Sequence, residues 1–125
     1  MADDHIPSDL RDFIVRHIDS IAQLEALLLL RAYPDMDWDA KQTAARLYAN
    51  EPEVAEALAR LCADGFLACN EGVYRYGPQS PEQQATVDGL ADAYSRHLIP
   101  ITNMIHGKPR RIREFADAFK LRKDR

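Results

Sequence analysis

Hydrophobic side chains recur at helical spacing through most of this chain. Leu10, Phe13, Ile14, His17 and Ile18 lie three and four residues apart, which predicts an amphipathic opening helix from Ser8 to His17. Ile21, Leu24, Leu27, Leu28 and Leu30 cover too wide an arc for a surface helix, so Ile21 to Arg31 is predicted as the central core helix. Tyr33-Pro34-Asp35-Met36-Asp37 ends it, because proline disfavours helical geometry in the residue before it and aspartates favour turns. Trp38 follows as a candidate core anchor. Four starts carry capping chemistry, a short polar side chain with Glu or Gln three residues on: Ser20 with Gln23, Asp39 with Gln42, Asn50 with Glu53, and Ser80 with Gln83. Pro81 stands at the first position of the last of these helices, where its missing amide costs nothing.

From Asp39 the pattern predicts a short helix through Tyr48, a turn at Ala49-Asn50, and a helix from Glu51 to Ala63 ended by Asp64-Gly65. Phe66 to Cys69 and Val73 to Tyr76 flank Asn70-Glu71-Gly72, a hairpin turn in which Gly supplies the positive φ. The order is helix, turn, helix, hairpin. Beyond it Val87, Ala91, Tyr94, Leu98, Ile101 and Ile105 alternate at spacings of four and three, the rhythm of a seam between packed helices. This seam is read as a dimerisation helix, with packing on its own domain as the competing reading. Pro100 falls inside it and is expected to kink or break the helix. Gly107-Lys108-Pro109 breaks the chain again before a last helix with Ile112, Phe115, Ala116 and Phe119 on one side.

The segment Thr43 to Leu67 resembles the winged helix-turn-helix of small bacterial transcription regulators, notably the MarR-like group. Ala45, Leu47, Val54, Leu58, Leu61, Gly65 and Phe66 stand where that family places its packing residues and the Gly-hydrophobe pair leading into the wing. The resemblance implies a mostly α fold with a small β-hairpin: a winged helix-turn-helix with its N-terminal helices over residues 1–80, and a helical dimerisation arm with a basic C-terminal helix over 81–125. It also implies a dimeric, cytoplasmic, DNA-binding regulator whose second helix enters the major groove. The residues implied to meet DNA are Lys41, Arg46, Asn50, Glu53, Glu56, Arg60 and Arg75, with Arg110 and Arg111 of the tail. Glu53, Glu56, Ala57 and Arg60 are expected on the outward face of that helix, and two carboxylates there oppose a polyanion, although a Glu can accept from a cytosine amino group. The hairpin tip, Asn70-Glu71-Gly72, lacks the Arg or Lys of a DNA-binding wing. The alternative is therefore an interaction module whose acidic helix face binds a basic protein surface and does not read DNA specifically.

Composition and charge refine this picture. At 125 residues, 46% hydrophobic and 29% charged, the chain has the make-up of one ordinary folded domain. Its longest uncharged apolar stretch, Ala26 to Leu30, is far short of the roughly 20 residues of a membrane span. The acidic start Met1-Ala2-Asp3-Asp4 lacks the features of a secretory signal. The net charge of −4 hides an asymmetry: residues 1–107 hold 17 acidic and 8 basic side chains, whereas 108–125 hold 8 basic and 3 acidic. Such a tail on such a body points to an anionic partner or to attraction between the two. Cys62 and Cys69 show no CxxC or Cys/His metal spacing and read as two reduced, buried thiols of a reducing compartment. His5, His17, His97 and His106 are scattered, no glycine-rich phosphate loop occurs, and no nucleophile stands beside a base. No enzymatic activity, cofactor or metal is expected.

Overall fold

The computed structural model describes residues 6–107. Its elements run α1 (Ser8–His17), α2 (Ile21–Ala32), α3 (Ala40–Leu47), α4 (Glu51–Ala63), β1 (Leu67–Asn70), β2 (Val73–Tyr76), α5 (Pro81–Arg96) and α6 (Leu98–His106). All four predicted caps form: the side chains of Ser20, Asp39, Asn50 and Ser80 accept from the amides of Gln23, Gln42, Glu53 and Gln83. At Asp39 the Gln42 side chain reciprocates, completing a capping box. Gln23 and Gln83 instead reach one residue further back, accepting from the amides of Asp19 and Gln79.

The core gathers around α2, whose Leu24, Ala26, Leu27 and Leu30 are buried together with Ile14, Ile18, Val54, Leu58, Leu61 and Phe66. α3 and α4 pack on each other and on α2. The face of α3 turned inward differs by one residue from the sequence expectation. Thr43 and Ala44 are buried and Ala45 is exposed, because a helix starting at Ala40 brings positions 40, 43, 44 and 47 onto one side. Thr43 is tolerated inside because its hydroxyl donates to the Asp39 carbonyl at 2.8 Å.

The strands pair antiparallel, from Leu67 opposite Tyr76 to Asn70 opposite Val73. Two residues connect them, and both have positive φ, Glu71 at 51° and Gly72 at 82°, as a type I′ turn requires. A third segment joins this sheet at one point: Trp38 and Tyr74 exchange both backbone hydrogen bonds, at 2.8 and 2.7 Å. The connection between α2 and α3 is thereby tied to the hairpin.

The seam assigned to a dimer is largely the protein's own core. α5 packs on α1, and α6 returns onto α5 and α2, so that Val87, Ile101 and Ile105 are buried within the single chain along with Leu90 and Ala93. Ala91 and Tyr94 are half-buried, and of the six only Leu98 is exposed, at 49%. The periodicity is real, but the partner helices are α1 and α2. The break also moves. It falls at His97, three residues before Pro100, because Pro100 then occupies the first turn of α6, where no amide is required.

Cys62 and Cys69 are joined in a disulfide, which corrects their reading as free thiols. The turn between α4 and β1 brings their Cα atoms to 6.3 Å, within the span a disulfide bridges. The cysteines thus lend no support to a reducing compartment. Among the described residues no helix is long and apolar enough to cross a membrane. The predicted last helix, with Ile112, Phe115 and the tail residues Arg110 and Arg111, lies outside the described residues.

Candidate functional site

The candidate surface comprises the outer face of α4, the turn preceding it and the hairpin that follows. α4 presents Val54, Ala57, Leu58 and Leu61 to the core, which leaves Glu51, Glu53, Glu56 and Ala59 outermost. Ala57, expected on the outer face, is buried, since it lies three residues from Val54 on the inward row. Among the described residues no basic side chain forms an ion pair with Glu51, Glu53 or Glu56. The positive N-terminal end of the helix accounts for acids in its first turn, at Glu51 and Glu53, but not for Glu56. Asn50, placed at the DNA by sequence reasoning, uses its side-chain oxygen to accept from the Glu53 amide at 3.0 Å.

The arginines that would hold phosphate are turned to other partners. Arg60 pairs with Asp19 at 3.0 Å, and Arg75 pairs with Asp37 at 2.9 Å. Arg46 donates to the Tyr33 hydroxyl at 2.9 Å, with its guanidinium 5.1 Å from the centre of that ring, and Tyr33 in turn lies 6.1 Å from Trp38. Lys41 is exposed on α3. Each ion pair is partly solvated and worth at most about 1 kcal/mol, so it does not lock its arginine. It does neutralise it, and a phosphate would have to displace a carboxylate already in place. The partners Asp19, Asp37 and Tyr33 lie 41, 38 and 13 residues away from Arg60, Arg75 and Arg46 in sequence, which is why local pattern did not expose these pairings.

Two features had no counterpart in the sequence reading. Tyr48 closes α3 in the left-handed region, at φ 56°, with 97% of its surface exposed. A β-carbon in that region costs on the order of 1 kcal/mol, and glycine or asparagine is the usual choice there. A shallow concavity of about 450 Å³ also runs along the hairpin, lined by residues that include Asp37, Cys69, Glu71, Tyr74 and Arg75. Deeper, the Trp38 indole N–H and the Tyr76 hydroxyl are buried with no partner among the described residues. Burial, followed by the nearby Asp88 carboxylate, pushes the Tyr76 hydroxyl above its ordinary range, opposed by Arg31.

Among the described residues no three His, Cys, Asp or Glu side chains are grouped to hold a metal ion. His17 Nδ1 lies 3.2 Å from Asp64 Oδ2, and the imidazole packs against Phe13 and Phe66, with ring centres 5.2 and 5.5 Å away. This contact ties α1 to the end of α4 and places no nucleophile within reach. The chain matches no family model, no curated protein and no solved structure.

Proposed function

We propose that this protein is a winged helix-turn-helix interaction module whose α4 face binds a basic protein surface. Support for the winged-helix assignment comes from element order: α2, the Trp38 segment, α3, α4 and the hairpin follow one another, with Trp38 paired to the second strand. The likeness of Thr43 to Leu67 to MarR-like regulators agrees with it. The observation that carries the function is the outward row Glu51, Glu53 and Glu56, with no paired cation among the described residues, beside an Arg60 already neutralised by Asp19. Carboxylates in that position repel a duplex, which carries one negative charge per about 1.7 Å of axis. They attract lysine and arginine side chains.

The second reading, DNA binding by a dimer, draws on the eight basic side chains of residues 108–125, with Lys41 and Arg46 as further phosphate contacts. The double substitution Glu53→Lys with Glu56→Lys separates the two. The interaction module predicts that the wild-type chain captures a fluorescein-labelled lysine-rich peptide, that the double variant loses this capture, and that the variant binds duplex DNA more tightly than wild type. A wild-type chain that binds duplex with a steep salt dependence, and whose peptide capture is unchanged by the charge reversal, favours the DNA reading instead.

A further inference from the structure

The Cys62–Cys69 link joins the last turn of α4 to the middle of β1. Strand alternation explains its reach. Leu67 and Cys69 share one side of the hairpin, with their cross-strand partners Tyr76 and Tyr74. Leu67 is buried on that side, so Cys69 also faces the body, but it lies beyond the rim and is exposed, whereas Cys62 is half-buried. Cys62 packs against the core, and Cys69 is one of the residues lining the open concavity along the hairpin.

The turn beneath the link holds without the sulfurs. The Phe66 amide donates to the Leu61 carbonyl at 3.0 Å, the Gly65 amide to the Cys62 carbonyl at 3.0 Å, and the Gly77 amide to the Phe66 carbonyl at 3.1 Å. Phe66 and Leu67 are buried, and the Trp38–Tyr74 pair anchors the second strand. With the link open, these contacts still hold the turn and the second strand, and the outer hairpin from Cys69 to Val73 keeps only its own ladder and turn.

We infer that Cys62–Cys69 is a reversible redox latch that fixes the hairpin to α4 when oxidised and releases it when reduced by a dithiol. A thiolate of the dithiol attacks the sulfur of Cys69, the more exposed of the two residues, the sulfur–sulfur bond breaks, and Cys62 leaves as a thiolate that takes up a proton. The second thiol of the reductant then attacks the mixed disulfide and displaces Cys69. Two electrons and two protons pass to the protein, and the dithiol becomes a disulfide. The latch operates whatever α4 binds.

The test compares the full chain after air oxidation and after dithiothreitol treatment at 25 °C, with thiols counted by alkylation and mass spectrometry and backbone opening followed by hydrogen exchange. The latch predicts two alkylatable thiols under native conditions and exchange roughly tenfold faster in residues 69–73, with α2 and α5 unchanged. Removal of the reductant restores the slow exchange. The C62S/C69S double variant matches the reduced protein under either condition. The inference is overturned if the link resists dithiothreitol until the chain is unfolded, if the thiols never pair on oxidation, if reduction unfolds the whole chain, or if hairpin exchange is the same in both states.

Discussion

Ile101 and Leu98 occupy adjacent turns of the heptad-like seam, and the fold assigns them opposite energetic weight. Ile101 is 0% exposed inside the chain, whereas Leu98 is 49% exposed at the start of α6. Ile101→Ala removes three carbons, about 2.4 kcal/mol at roughly 0.8 kcal/mol each. The closed site cannot collapse fully around the loss, which adds about 1–2 kcal/mol for the cavity. The expected destabilisation is about 3.5–4.5 kcal/mol. Leu98→Ala removes the same number of carbons from a half-solvated position, with no enclosed cavity, and should cost about 1 kcal/mol. Urea unfolding followed by circular dichroism measures both differences through the shift in midpoint at constant slope. A seam between protomers requires the two residues to matter alike and the loss to vary with protein concentration. Equal costs, or an Ile101→Ala loss below about 1 kcal/mol, would refute the intramolecular packing of α6.

Gln23 is buried at the start of α2, where it accepts from the Asp19 amide and donates to the His17 carbonyl; Gln23→Met keeps the volume, strands both backbone groups, and should cost about 2 kcal/mol by urea midpoint. Gly65 has φ +89°, and a β-carbon there would lie 2.8 Å from the Gln79 side chain, so Gly65→Ala should lower the melting temperature by several degrees. Gly72→Ala, at φ +82° with nothing within 4 Å, carries the backbone penalty alone and should cost less in the same melt. Burial and then the Glu25 carboxylate raise the Tyr94 hydroxyl above 10.0, as burial and Asp88 do for Tyr76. The folded chain then holds protons that the unfolded chain releases, so this contribution to stability is full below pH 10 and is lost as pH rises through the folded-state values. Urea midpoints at about pH 9 and pH 11 should fall less in a Y76F/Y94F variant than in wild type.

Local chemistry was legible wherever it acts over a few residues. The caps at Ser20, Asp39, Asn50 and Ser80, the stop at Gly65 and the hairpin turn are all decided by short-range hydrogen bonding and φ preference, and all are present in the fold. Which surface a periodic stripe meets is a tertiary matter. The seam from Val87 to Ile105 has the same rhythm whether it packs on α1 and α2 or on a second copy, so spacing alone could not choose. The resemblance likewise put Ala45 on the inner face of α3, where the helix capped at Asp39 turns Thr43 and Ala44 inward. At the candidate site, the acidic outer row of α4 was visible, since Glu53 and Glu56 follow from the inward row of Val54 and Leu58. The neutralisation of Arg60 by Asp19 and of Arg75 by Asp37, and the meeting of Cys62 with Cys69, depend on how the loops between α1 and α2, between α2 and α3, and between α4 and β1 return to the body.

The proposed recognition of positively charged protein surfaces by the outer face of α4 is open to direct measurement. Amide chemical-shift mapping tests it most directly, using the isotope-labelled full chain titrated at low salt with a lysine-rich peptide and, separately, with duplex DNA. Recognition by this face predicts that the peptide shifts the amides of Glu51, Glu53, Glu56 and their neighbours on α4, and that the duplex leaves these amides in place. Saturable shifts on α4 and the hairpin with duplex, and none there with the peptide, would contradict it.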